Sequence, residues 1–141
     1  MEAAPAAGSG WGLAVAWSPL GAALAWSGRG GGAAVLDAPA ACAGAEVWAA
    51  ARRQDVELPG ALPLRALAFL NEECLAAGGF DSRPLLLRHG AGGWWASDGF
   101  QEAQAADADV VTLAPLPGGR FLSASSDGRV VEWCADGAAA S

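Results

Sequence analysis

Short apolar runs broken by tight polar turns recur along the chain. From residue 61 the sequence reads ALPLRALAFLNEECLAAGGFDSRPLLLR, ending at Arg88. A first apolar run ends in Phe69, a polar turn follows at Asn71–Glu73, and a second run covers Cys74–Ala77. A Gly-Gly-Phe-Asp turn then leads to Leu85–Leu87. Three short strands separated by two turns predict a β-meander.

The same pattern lies on either side. Upstream, Leu13–Trp17, Ala22–Trp26 and Ala33–Leu36 read as strands, the last ending at Asp37, with turns at Ser18–Gly21 and Gly28–Gly32. Downstream, Val110–Leu113, Phe121–Ser125 and Val130–Trp133 are strands, with turns at Pro115–Gly119 and Asp127–Gly128. Glu46–Ala49 and Gly93–Ala96 each predict a fourth, outer strand, and Arg52–Gly60 reads as a charged connection. The first strands close at Trp17, Phe69 and Leu113, in steps of 52 and 44 residues. Within the units, Leu24 and Leu36, Leu75 and Leu87, and Phe121 and Trp133 are each twelve apart. A WD-type repeat has a period of about 40–45 residues and four strands per blade. The expected fold is therefore all-β: a partial propeller of about three four-stranded antiparallel blades, at about 11–50, 61–97 and 108–134, with an open ring. Residues 1–10 read as a flexible leader and 135–141 as a frayed tail. Ala-rich helical potential lies between Phe100 and Ala106.

Composition narrows the function. The chain has 141 residues, 53% hydrophobic, which argues against disorder as a whole. Its net charge is −7 and its basic residues are all Arg. That acidity opposes a nucleic-acid partner, which needs a basic stripe. No apolar run has the roughly 18 residues of a membrane helix. Cys42, Cys74 and Cys134 form no CxxC pair, so neither a disulfide framework nor a zinc site is expected, and free thiols fit a reducing compartment.

The residues that invite a catalytic reading have simpler roles. Asp81 and Asp127 are Asx-type turn residues. Ser123, Ser125 and Ser126 lie near Asp127 without a GxSxG elbow. His89, the one histidine, sits in a Gly-rich loop with no advertised partner. Gly28–Gly32 is followed by a strand, not by GK[ST] and a helix, so a hairpin accounts for it better than a phosphate cradle. No catalytic, cofactor or metal site is expected. Trp17, Trp26 and Trp133 are expected to pack between blades. Trp94 and Trp95 are adjacent on a strand and point to opposite faces, so one of them is a candidate partner contact. Arg52-Arg53 reads as part of a solvated loop.

Ser126–Trp133 (SDGRVVEW) resembles the end of a WD repeat, where Asp-Gly turns into the strand ending in Trp. Leu62–Phe69 (LPLRALAF), Cys74–Asp81 (CLAAGGFD) and Pro84–Leu87 are similar to a late blade of the WD-repeat subunit of the actin-related protein 2/3 complex. Val15–Pro19, Leu24–Trp26 and Val35–Ala38 resemble the blade before it. The resemblance covers roughly Trp11 to Trp133 and corresponds to the last three blades of a seven-bladed family. It implies a non-catalytic cytoplasmic, cytoskeletal scaffold without cofactors, whose partners are the other subunits of that complex and actin filaments. Its repeat signature falls on Trp17, Asp37, Phe69, Asp81, Asp127, Gly128 and Trp133. Phe100-Gln101 matches a Phe-Gln of the family's long insertion, so these two join Trp94 and Trp95 as candidate contacts.

Two departures stand out. About four N-terminal blades are missing, so either Met1 is a false start or the chain is a fragment that depends on partners. The insertion counterpart, Ser97–Asp109, is short and acidic, which argues against a contact with the acidic surface of actin. The alternatives are a generic WD-repeat scaffold in another pathway and a propeller that binds a small ligand or catalyses a reaction in its funnel.

Overall fold

The computed structural model describes residues 11–37, 51–58, 62–80, 84–97 and 108–135. Every element among them is a β-strand. Strands β1 (Gly12–Trp17), β2 (Ala23–Gly28), β3 (Ala33–Asp37) and β4 (Arg52–Val56) form the first sheet, in that order. The second holds β5 (Leu64–Asn71), β6 (Cys74–Gly79), β7 (Leu85–Gly90) and β8 (Gly93–Ser97). The third has three strands: β9 (Val110–Leu116), β10 (Arg120–Ser125) and β11 (Val130–Cys134). All neighbouring strands are antiparallel. The first strands of the three sheets are neighbours, with β5 lying against both β1 and β9.

The twelve-residue spacing has a direct structural meaning. Leu24 pairs with Leu36, Leu75 with Leu87, and Phe121 with Trp133, each straight across the second and third strands of its sheet. Alternation then gives each sheet two faces. One, the large-residue face, carries these pairs. The other, the small-residue face, carries Ala23, Ala25, Ala33 and Val35 in the first sheet and Cys74, Ala76 and Leu86 in the second. Phe69, Leu75 and Leu87 pack against the small face of the first sheet in one buried cluster. Phe121 and Trp133 pack against the small face of the second sheet in another. Large against small thus recurs at both boundaries.

Four expectations need correction. The outer strand of the first sheet is Arg52–Val56, paired residue for residue with β3. Its charges read as a solvated connection, but an edge strand tolerates charge, and Gln54 and Val56 alternate inward. Expected strand Glu46–Ala49 lies outside the described residues. Second, β9 runs on through Pro115 to Leu116, and Pro115, not Leu113, faces Phe121 as Phe69 faces Leu75. Pro115 is admissible there because β9 has one hydrogen-bonded neighbour. Third, the third unit shows three strands, not four, among the described residues. Fourth, Gly78 and Gly79 belong to β6 rather than to a turn. A Cβ on Gly78 would come within 2.6 Å of Val110 Cγ1, so the missing side chain is what lets the third sheet approach the second.

Candidate interaction surface

Trp94 and Trp95 point to opposite faces of β8. Trp94 is 3% exposed and belongs to the core between the first two sheets. Its ring meets Phe69 edge-on at 5.9 Å and lies 5.2 Å from the His89 ring. Its indole N–H donates to the Asp37 carboxylate across the sheet boundary, at 3.0 Å to Oδ2. The Gln54 side chain holds the Trp94 backbone at both groups. Trp94 N–H donates to Oε1 at 2.6 Å, and Nε2 donates to the Trp94 carbonyl at 2.7 Å. Gln54 thus does what a neighbouring strand would do. Trp94 is therefore a structural keystone, not a surface contact. Trp95, 51% exposed, is the member of the pair that faces solvent.

Asp37 ends β3, and its signature position holds that indole. Phe69 is buried. Asp127 accepts from the Arg129 N–H at 3.0 Å and so caps its own turn, in which Gly128 has φ +86. Trp133 is buried and donates its indole N–H to Ser123 Oγ at 2.7 Å. Trp17, expected between sheets, is instead 51% exposed, on the large-residue face of the first sheet. Trp26 shares that face and lies under the Arg53 guanidinium at 5.3 Å. Asp81, Phe100 and Gln101 lie outside the described residues.

The residues considered for catalysis do not converge. His89 faces the first sheet beside Trp94, while Asp127 lies in the turn of the third sheet, which packs on the opposite face of the second. Gly28–Gly32 forms the β2–β3 hairpin, with Gly31 N–H bonded to the Gly28 carbonyl. Among the described residues no group of three or more His, Cys, Asp or Glu could hold a metal ion. No helix among them is long and apolar enough to cross a membrane. Burial pushes the Cys74 thiol above its ordinary value, and the nearby Arg88 only partly opposes that. A groove with a cavity volume of 860 Å³ runs between the first two sheets, lined by Asp37, Arg52, Gln54, Glu72, His89 and the β7–β8 turn.

Sequence reasoning missed the exposed apolar strip of β1 and the turn after it. Val15 and Trp17 project from one side of that strand, and Leu20 follows. The signal was present, because alternation in LAVAW puts Leu13, Val15 and Trp17 opposite Ala14 and Ala16. Three arginines also lie over aromatic rings, Arg29 on Trp11, Arg53 on Trp26 and Arg65 on Phe80. Such stacking screens apolar rings at the surface while leaving the charge in water.

No protein-family model matches the chain, and no curated protein matches it in sequence.

Proposed function

We propose that the chain is a run of WD-type propeller blades acting as a non-catalytic scaffold for protein assembly. The observation that carries this reading is the recurrence of one cross-strand pair, twelve residues apart, in three sheets stacked large face on small face. Repeated sheets stacked around neighbouring first strands are the building plan of propellers. Such a plan spends its residues on mutual packing and offers its rims and exposed faces to other chains.

The assembly we propose for it is the actin-nucleating complex of actin-related proteins 2 and 3. What supports this finer reading is the resemblance of Leu62–Phe69, Cys74–Asp81 and Val15–Pro19 to its WD-repeat subunit. The chain would then help hold that complex together at branched filaments in the cytoplasm. Tagged chain, isolated from its source cell, is expected to bring down the other subunits of the complex in fixed proportion. Recovery of a different assembly with none of those subunits would leave the scaffold reading standing and remove the actin one.

A further inference from the structure

The outer strands of the two four-stranded sheets treat their edges differently. β4 carries Arg52, Arg53 and Asp55, and charge at an edge discourages pairing with a further strand. β8 reads GWWAS, with no charge and no proline, and its Trp95 is 51% exposed. In an antiparallel pair, the backbone groups of alternate residues point toward the neighbour and away from it. Trp94 gives both of its groups to Gln54, so it points away from β7. Ala96, two positions on, points the same way. Trp94 and Ala96 are thus the pairing positions of this edge, and Gln54 holds the first of them. Gly93, with φ +100, has no Cβ to push the amide aside.

We infer that the Gln54 amide is an edge guard, which keeps β8 from pairing with β8 of a second copy of the chain. The second copy is the occupant because the edge is self-complementary. Laid antiparallel on itself about Trp95, it sets Trp94 of each copy opposite Ala96 of the other. Those are hydrogen-bonded positions, and the strand has no charge to repel its twin. The two Trp95 residues then face each other at the non-hydrogen-bonded position. Cα atoms there approach to about 4.5 Å, and aromatic cross-strand pairs are stabilising. The arrangement is isologous and closes as a two-fold dimer. It cannot form while Gln54 occupies the N–H and the carbonyl of Trp94. The guard comes from the neighbouring sheet, so the edge is closed only while the first two sheets are packed together. The inference rests on this edge alone and holds whichever assembly the chain serves.

Sedimentation of the full chain at high concentration tests it. The parent chain is expected to show no association that depends on Ala96. Gln54→Met and Gln54→Ala remove the amide with and without the bulk of the side chain, and both are expected to shift toward dimer as concentration rises. Ala96→Pro deletes an N–H that faces away from β7 and is therefore tolerated at the edge. Trp95→Lys sets like charges opposite each other at the axis. Either change, added to Gln54→Met, is expected to restore the sedimentation of the parent chain. Trp94→Phe weakens the same sheet boundary by deleting the indole bond to Asp37, but leaves Gln54 on the backbone, and is expected to sediment as the parent does. Monomeric Gln54 variants would overturn the inference. So would a dimer that survives Ala96→Pro, since it uses another surface, or a dimer of the parent chain that Ala96→Pro dissolves. Association of Trp94→Phe to the same degree would assign the effect to a loosened boundary and overturn it as well.

Discussion

Gln54 bonds the N–H and the carbonyl of Trp94 with one side-chain amide, at 2.6 and 2.7 Å. The two residues belong to the outer strands of different sheets, so the bond pair is a bridge between sheets. Gly93 makes room for it: its φ is +100, and a Cβ there would collide with Gln54 Oε1.

Gln54→Ala removes both partners from a half-buried backbone position. A buried group left unpaired costs about 1–3 kcal/mol, so the urea midpoint should fall without a change in slope. Gln54→Glu keeps the acceptor and loses the donor at neutral pH. Once protonated, the introduced carboxyl can donate again. Folding then raises its pKa above about 4.3, and the variant's deficit relative to the parent chain should shrink as pH falls from neutral toward that value and level off below it. A deficit that does not vary with pH would mean that the Trp94 carbonyl does not need that donor.

Trp94→Phe preserves an aromatic ring and deletes the indole N–H donated to Asp37. Asp37→Ala deletes the acceptor. Each should cost about 1–3 kcal/mol, and the double variant should cost less than the two together, since both remove one bond. Equilibrium unfolding of the four chains reads the coupling, and strict additivity would count against the bond.

Gly78→Ala puts a methyl group 2.6 Å from Val110 Cγ1. Overpacking of this kind costs about 1–3 kcal/mol. Val110→Ala, made with it, should return part of that loss by clearing the space. Thermal melts of the single and paired variants decide this, and a paired variant no better than Gly78→Ala would exclude steric crowding as the cause.

The thiol of Cys74 is buried, whereas Cys134 is exposed. Site-resolved alkylation of the native chain should modify Cys134 first and reach Cys74 only on unfolding. The raised Cys74 pKa also has a consequence for stability. Above the ordinary value of 9.0 the unfolded thiol loses its proton while the folded one keeps it. Stability should therefore decline as pH rises through that value, and Cys74→Ala should flatten the decline.

How far this was legible in sequence depends on the interaction. Period-two alternation and the twelve-residue spacing located ten of the eleven strands among the described residues, because both follow from the pleat. The eleventh, β4, was hidden by Arg52, Arg53 and Asp55, which read as a loop until β3 is seen beside them. The place of Trp17 was misjudged because alternation tells which residues share a face, not which face a neighbour covers. The tie between Gln54 and Trp94 spans forty positions and carries no local signature. The same holds for Ser27, whose hydroxyl donates to the Leu64 carbonyl at 2.9 Å.

The two boundaries between sheets differ in mechanical character. The first is stitched by directional bonds from Ser27, Gln54 and Trp94, which break within an ångström of sliding. The second rests on Phe121 and Trp133 seated against Cys74, Ala76 and Leu86, and apolar contact of that kind yields gradually. Under shear the first joint is brittle and the second compliant. Single-molecule stretching should show a sharp rupture at the one and a graded slip at the other.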